Sequence, residues 1–279
     1  MLAPKTGGSL SAILTSVLRP PEARPDSPSE SGFLAGLSAA NGYGVVDTRR
    51  PVLVLNDVTK TYPNGRDALK DVDLVVPEGD FVFLVGASGA GKSTLMKLLI
   101  RDELPTRGTV ILDGDDVARL PRRKVPMVRR KIGIVFQDFK LLPRKSVREN
   151  IAFALEVTGT PRRKIRPAVD RALALVGLTR QAEQYPNQLS GGEQQRTAIA
   201  RALVHDPRIV IADEPTGNLD PLISWEILQL LLRINELGVT VLMATHDADI
   251  VTALRKRVVA LEEGRVIRDE VGGGYHRAG

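Results

Sequence analysis

The fold of this sequence is decided by residues 81–100, which read FVFLVGASGAGKSTLMKLLI. Residues 81–85 form a short apolar run that is typical of a buried strand, and residues 92–100 have the apolar spacing of a helix. The pattern G-x-x-x-x-G-K-[ST] matches residues 86–93 in full, following the strand and opening the helix. A strand, a glycine-rich loop and a helix in this order predict a loop that binds phosphate groups.

The residue types of this phosphate loop (residues 86–93) suit the phosphates of a nucleotide. Glycines let the backbone wrap closely round an anion, while successive amide groups and the helix N-terminus supply positive potential. Lys92 is expected to reach the β and γ phosphates, and Ser93 to ligate Mg²⁺. The predicted nucleotide contacts are Gly86, Ala87, Ser88, Gly89, Ala90, Gly91, Lys92, Ser93 and Thr94.

A second apolar run, residues 209–212, is followed by the adjacent carboxylates Asp213 and Glu214. Taken alone, an Asp-Glu pair after a strand is more often an ordinary loop or helix cap. Beside a phosphate loop, however, Asp213 can hold the hydration shell of Mg²⁺ and Glu214 can polarise the attacking water. The pair therefore predicts hydrolysis of the bound nucleotide.

Short β-rich runs alternate with helical patterns from Pro51 onward, which predicts an α/β domain with a mostly parallel central sheet. The predicted strands are residues 52–55, 69–76, 81–85, 109–112, 132–136, 209–212, 239–244 and 258–261. Residues 138–190 differ, because apolar residues recur there at helical spacing round a basic cluster at 162–166. We interpret them as a helical subdomain within an ATPase domain at 51–270. Residues 1–50, rich in Pro, Ser and Gly, are expected to be disordered, and residues 271–279 to form a flexible tail.

Composition excludes several classes of protein. The 279 residues include no cysteine and only three scattered histidines, so neither a disulfide framework nor a zinc site is expected. Apolar runs are too short to span a bilayer, so no transmembrane segment is predicted. Aromatic residues make up only 4%, which disfavours a single-strand nucleic-acid binder, and the net charge of +6 is compatible with a solvated basic surface or with an anionic partner.

Residues 189–196, LSGGEQQR, resemble the signature motif of the ABC ATPases. Ser190 can cap the following helix, and two glycines leave the positive end of that helix open to an anion. The resemblance implies that this anion is the γ-phosphate of ATP held by a second copy, contacted by Ser190, Gly191, Gly192 and Glu193 in a head-to-tail homodimer. It also implies a P-loop NTPase fold with an antiparallel β subdomain.

Four further positions match the same family in order along the chain. Tyr62 is similar to the aromatic residue that stacks on adenine, although a packed strand-end tyrosine is the alternative. The resemblance implies that Gln137 senses Mg²⁺ and water, that Asp220 lies in the loop crossing the dimer interface, and that His246 contacts the γ-phosphate.

Within the family, residues 135–143, VFQDFKLLP, and 146–150, SVREN, most resemble the FtsE family of cell-division ATPases. This resemblance implies an integral membrane partner resembling FtsX, a peripheral location on the cytoplasmic face of the membrane and control of cell-wall hydrolysis. An ABC importer or exporter of the lipoprotein-release or macrolide-efflux type is the alternative. A third possibility, an ABC protein acting on DNA or ribosomes, is disfavoured because the chain has no long coiled-coil insertion and no tandem cassette.

Overall fold

The computed structural model describes residues 49–274. The disorder predicted for residues 1–50 lies outside the described residues except at Arg49 and Arg50, and the predicted tail lies outside them from residue 275 onward. The chain from Pro51 onward forms one compact unit.

Ten strands and seven α-helices follow one another in the described part of the chain. The strands are β1 Pro51–Thr61, β2 Asp67–Pro77, β3 Phe81–Val85, β4 Arg107–Leu112, β5 Asp115–Asp116, β6 Ile132–Val135, β7 Ile209–Asp213, β8 Thr240–Ala244, β9 Arg257–Glu262 and β10 Arg265–Glu270. The helices are α1 Lys92–Leu99, α2 Val125–Arg129, α3 Val147–Val157, α4 Arg162–Leu175, α5 Gly191–Leu203, α6 Pro221–Glu236 and α7 Ala248–Leu254.

The strands form two sheets. The larger, six-stranded sheet has the order β10-β9-β3-β8-β7-β6, in which all neighbours are parallel except β9 and β10. The smaller sheet has the order β2-β1-β4-β5 and is antiparallel throughout. This architecture confirms the predicted α/β class, with a mostly parallel central sheet and an antiparallel β subdomain.

Strand β3 lies in the interior of the six-stranded sheet, between β8 and β9, and all five of its side chains are buried. A parallel strand covered on both faces is expected to be apolar along its whole length, which explains the run FVFLV. Because β3, β7 and β8 are parallel neighbours in the order β3-β8-β7, their carboxyl ends lie at one edge of the sheet. Ligands of open α/β sheets bind at this edge.

Helices α3 and α4 lie in the segment interpreted as the helical subdomain. Val147, Ile151 and Leu155 form the buried face of α3, and Val169 and Leu173 belong to the buried face of α4, as their helical spacing predicted. Among residues 49–274, none of the helices combines the length and the apolar character needed to cross a bilayer.

Two strands were not predicted, and several others extend beyond their predicted residues, β1 by the most. β5 is only two residues long, and β10 follows β9 through a tight turn with a mixed polar and apolar sequence. β1 was predicted over Val52–Leu55 but runs to Thr61, because the pairing with β2 resumes after an irregularity at Asp57, where φ is 49°.

Candidate nucleotide-binding site

The phosphate loop begins where β3 ends and leads into α1, as its sequence predicted. Gly91, the residue before α1, has φ of 114°, a left-handed conformation that is unfavourable for other residues. A Cβ atom there would lie 2.7 Å from the carbonyl oxygen of Ala68. The final glycine of the motif therefore allows a turn that packs directly against strand β2.

Lys92 is buried, and its ammonium group is held by the phosphate loop itself. Its Nζ donates hydrogen bonds to the carbonyl oxygens of Gly86, at 2.6 Å, and of Ala87, at 3.1 Å. These neutral acceptors hold the charge within the loop. Phosphate oxygens are stronger, charged acceptors for the same donor.

A cleft of about 990 Å³ opens over the phosphate loop. It brings together most of the predicted nucleotide and catalytic residues from separate parts of the chain. Its lining includes Tyr62, Gly86, Ala87, Ser88, Gly89, Gly91, Lys92, Ser93, Thr94, Asp213, Glu214 and His246. Ala90, the remaining predicted residue of the loop, is buried and does not line the cleft.

Tyr62 is positioned at the cleft by contacts at both its ring and its hydroxyl. The hydroxyl lies 3.3 Å from Thr94 Oγ1 on α1, within hydrogen-bonding distance. Lys60 Nζ lies 5.1 Å from the ring centroid, which is the range of a cation–π contact. The tyrosine is thus an aromatic lining residue with a fixed orientation.

Asp213 and Glu214 stand at the carboxyl end of β7. Burial raises the pKa of Asp213, and the neighbouring charge of Glu214 raises it further, whereas Lys92 lowers it. Two adjacent carboxylates in a partly buried site favour the approach of a cation. No group of three or more His, Asp or Glu side chains suited to a metal occurs among the described residues. This sparse donor set fits Mg²⁺, which usually takes one or two carboxylates together with substrate phosphates and water.

Glu214 has an unusual backbone conformation, with φ of 45°. Its amide donates to the carbonyl oxygen of Ala244 at 3.0 Å, which ties the start of the loop to β8. Its carboxylate Oε2 lies 2.5 Å from His246 Nδ1. The loops that follow β7 and β8 therefore hold a carboxylate and an imidazole together beside the phosphate loop.

Gln137 does not line this cleft. Its side-chain Nε2 donates to Asn218 Oδ1 at 3.3 Å, and Asn218 Nδ2 donates back to the Gln137 carbonyl oxygen at 3.1 Å. Gly217, next to Asn218, lines a smaller cavity together with Glu214 and His246. Gln137 therefore contacts the loop that follows Glu214, and not the cleft itself.

Ser190 caps helix α5, as predicted. Ser190 Oγ accepts from the amide of Glu193 at 3.3 Å, and Glu193 Oε2 accepts from the amide of Ser190 at 2.8 Å. Hydrogen bonds from Ser190, first from its amide and then from its hydroxyl, lower the pKa of Glu193. Ser190, Gly191, Gly192 and Glu193 do not line the cleft of their own chain.

Asp220 also lies away from the cleft and caps helix α6. Its Oδ1 accepts from the amides of Leu222, at 3.1 Å, and Ile223, at 3.0 Å. Two groups of predicted residues are therefore separated in a single chain: those of the phosphate loop and catalytic pair, and those at the starts of α5 and α6.

Eight lining residues were not predicted as site residues from the sequence: Asn64, Arg66, Ala68, Val85, Ala260, Leu261, Glu262 and Ile267. Asn64 and Arg66 belong to the turn after Tyr62, so the turn residues Pro63-Asn64-Gly65 were a usable signal. Glu262 and Ile267 come from the hairpin of β9 and β10, and β10 itself was not predicted.

A phosphate loop, a carboxylate pair at the end of a second parallel strand of the same sheet and an antiparallel β subdomain define a nucleotide-binding ATPase domain. The family model described as "ABC transporter" matches residues 69–217. The cell division ATP-binding protein FtsE of Bacillus subtilis is 51% identical over 224 residues, covering 80% of this chain and 98% of that protein. FtsE of Escherichia coli is 47% identical over 209 residues, covering 75% of this chain and 94% of that protein.

Among solved structures, the ATP-binding cassette MJ0796, described as dimeric and bound to ADP and Pi, matches with a TM-score of 0.71 and 39% identity. The match covers 80% of this chain and all of that one. The chain therefore belongs to the ABC transporter family of ATPases and, within it, to the group that contains these FtsE proteins.

Proposed function

We propose that the chain is the ATP-hydrolysing subunit of a membrane complex of the FtsEX kind, acting as a homodimer during cell division. The observation that carries the proposal is the pairing of Glu214 with His246, at 2.5 Å, beside the phosphate loop. The identity to two FtsE proteins along nearly their whole length supports the cell-division role.

ATP binds, in this proposal, along the cleft. The adenine stacks on Tyr62, whose ring is already oriented by Thr94 and Lys60. The triphosphate lies in the phosphate loop, where the amides of residues 86–93 and the start of α1 face it. Lys92 exchanges the carbonyl oxygens of Gly86 and Ala87 for phosphate oxygens, which are the better acceptors.

Hydrolysis requires a base for the attacking water and a donor for the charge that develops on the γ-phosphate. Glu214 is the proposed base, because its carboxylate stands at the cleft. His246, which neighbours that carboxylate, is the proposed γ-phosphate contact. When bound, Mg²⁺ neutralises phosphate charge, and Ser93 and Asp213 are the cleft side chains that would hold it. Gln137 would join them after giving up its hydrogen bond to Asn218.

A second copy supplies the remaining contacts in this proposal. Ser190, Gly191, Gly192 and Glu193 lie outside their own cleft but begin a helix, so they offer a positive helix end to the γ-phosphate of the other copy. Asp220 belongs to the loop that meets the partner. Two-fold symmetry then produces two equivalent ATP sites, and the dimeric state of the similar MJ0796 cassette supports this arrangement.

Closure of the dimer is proposed to drive a membrane partner resembling FtsX, which regulates cell-wall hydrolysis. The chain then sits peripherally on the cytoplasmic face of the membrane. The competing candidate is a transport ATPase, which the family description "ABC transporter" favours. Both candidates share the same ATP chemistry and differ in the membrane subunit.

Affinity purification of the tagged chain from gently solubilised membranes distinguishes the two candidates. A stoichiometric partner with few transmembrane helices and a large extracytoplasmic domain is expected. A partner with the many helices of a permease, together with solute uptake in reconstituted vesicles, would assign the chain to a transporter instead.

A further inference from the structure

We propose that Arg201, near the end of helix α5, is a positioning residue that holds the turn after Gln137 and thereby couples the signature helix to that glutamine. This inference deepens the proposed function and rests on the role assigned there to Gln137. The contact on which it depends joins the guanidinium of Arg201 to two backbone carbonyls in the turn formed by residues 136–140.

The turn at 136–140 has a strained backbone. Phe139 has φ of 59° and Lys140 has φ of 49°, so two consecutive residues with Cβ atoms adopt the left-handed conformation. This conformation is unfavourable for residues other than glycine, and it persists only where other contacts enforce it. Within the turn, the amide of Phe139 donates to the carbonyl oxygen of Phe136 at 3.3 Å and that of Lys140 to the carbonyl oxygen of Asp138 at 2.6 Å. Contacts from outside the turn can add to these bonds and help to keep the two residues in the left-handed conformation.

Arg201 provides such contacts. One terminal nitrogen of its guanidinium, Nη1, donates to the carbonyl oxygen of Lys140 at 2.6 Å, and Nη2 donates to that of Phe139 at 2.8 Å. The planar fork of an arginine can serve two acceptors at once, which the single ammonium of a lysine does less well. Each strained residue is therefore held by its own hydrogen bond from α5.

The environment of Arg201 agrees with a dedicated role. Burial lowers the pKa of its guanidinium, and within residues 49–274 no carboxylate forms an ion pair with it. A desolvated cation with carbonyl partners is unfavourable unless those hydrogen bonds are kept. The charge of Arg201 thus depends on the shape of the turn, just as the turn depends on Arg201.

The end of α5 is in turn fixed to strand β6, which leads into the turn. A Cβ atom on Gly133 would lie 2.4 Å from the carbonyl oxygen of Ala202, so helix and strand approach closely at this glycine. His205 Nε2 also lies 3.2 Å from the carbonyl oxygen of Ile132. These contacts keep Arg201 within reach of the turn.

A single helix therefore joins two parts of the proposed ATP site. Helix α5 begins at the signature residues Gly191 and Gly192 and carries Arg201 in its last turn. A γ-phosphate bound at its start would act on Gln137 through Arg201 and the strained turn. Conversely, movement of the turn by a membrane partner would change the binding of phosphate at the signature end, because coupling between two sites is reciprocal.

The test compares ATPase kinetics of full-length variants with their thermal unfolding. Arg201→Lys keeps the charge but loses the fork, and we expect kcat to fall about tenfold with KM for ATP changed by less than about twofold. Arg148→Lys is the matched control, because Arg148 also serves two acceptors, Asp170 and Glu183, but does not touch the turn. Its kcat is expected to stay within about twofold of wild type.

A rescue variant separates positioning from general stability. Lys140→Gly removes the left-handed strain at an exposed side chain, and combined with Arg201→Lys it is expected to restore kcat to within about threefold of wild type. Unchanged kcat in Arg201→Lys, or a loss that Lys140→Gly does not restore, overturns the inference. If Arg201→Lys does not fold, the double variant is expected to fold and hydrolyse ATP, and its failure also overturns the inference.

Gln137→Ala distinguishes failure of this inference from failure of the proposed function. Full kcat in Gln137→Ala contradicts the role assigned to Gln137, and the coupling with it. Reduced kcat in Gln137→Ala together with unchanged kcat in Arg201→Lys overturns the coupling alone.

Discussion

Helices α3 and α5 begin with the same local device but in opposite surroundings. Ser146 and Glu149 form a capping box at α3, and Ser190 and Glu193 form one at α5. At α3 the serine is buried, and the next two amides, of Val147 and Arg148, donate to the carbonyl oxygens of Gln184 and Ala182, both at 2.8 Å.

At α5 the corresponding amides have no such acceptors among residues 49–274, although Gly192 itself is buried against Ile223. Ser190 is exposed, and within the described part of the chain no acceptor lies in hydrogen-bonding range of the amides of Gly191 and Gly192. The same capping sequence therefore closes one helix against its own chain and leaves the other ready for an anion. The two caps are alike. The surroundings of each helix start therefore distinguish the structural start of α3 from the start of α5, which is proposed to bind phosphate.

The largest effect is expected at the catalytic pair, Glu214 and His246, whose two side chains come from one chain, whereas the start of α5 is proposed to act on a second copy. Glu214→Gln removes the proposed base but keeps the size of the side chain, so kcat should fall about 10³-fold while ATP still binds. Steady-state phosphate release and nucleotide binding measure the two properties. Glu156→Gln, an exposed change on α3, is the control, and normal hydrolysis by Glu214→Gln would show that another group is the base.

The next effect is expected at the phosphate loop. Lys92→Ala removes the charged donor that faces the phosphates, so the affinity for ATP should fall roughly 100-fold. Equilibrium binding of ATP measures it, with Lys97→Ala, an exposed lysine of the same helix, as the control. Unchanged affinity in Lys92→Ala would remove Lys92 from the binding site.

A smaller effect is expected at the start of α5. Gly191→Asp places a negative charge at a helix N-terminus, which favours the helix itself but repels a phosphate. We expect ATPase activity to fall roughly 30-fold with ATP binding to the single chain unchanged. The unfolding temperature should stay close to that of the wild type, because the new Cβ atom meets only the flexible end of Leu219, at 3.0 Å. A loss of ATP affinity in the isolated chain would mean that α5 contacts its own nucleotide.

The smallest effects come from the two caps, and they test the comparison directly. Ser146→Ala and Ser190→Ala should each lower the free energy of unfolding by about 1 kcal/mol, because each removes one cap. Only Ser190→Ala should also lower ATPase activity, by about fivefold, because its helix end is proposed to bind phosphate. Chemical denaturation measures the stability of the two variants, and phosphate release measures their activity. Equal losses of activity in both variants would show that the start of α5 has no special role in hydrolysis.

Much of this fold follows from local sequence. The run FVFLV, the glycine loop and the helical spacing after Lys92 predicted β3, the phosphate loop and α1, because each depends on its own residues. Strand β10 could not be predicted in this way. Its alternation of polar and apolar residues is weak, since it is paired only with β9 at the edge of the six-stranded sheet.

The site shows the same division. The chemistry of Lys92, Asp213 and Glu214 could be predicted from residue types, because a phosphate loop and a carboxylate pair have few other uses together. The contribution of Arg66 and Ile267 to the cleft, and of Arg201 to the turn after Gln137, depends on the packing of distant segments. Nothing in the local sequence round Arg201 indicates the carbonyls of Phe139 and Lys140 as its partners.

In the proposed dimer, the start of α5 completes the ATP site of a second copy. Analytical ultracentrifugation of Glu214→Gln, with and without ATP and Mg²⁺, tests it most directly, with Gly191→Asp added as a second variant. We predict that Glu214→Gln doubles its mass only when ATP is present, and that adding Gly191→Asp keeps it monomeric. A chain that stays monomeric at saturating ATP, or a dimer that Gly191→Asp does not disturb, would contradict the claim.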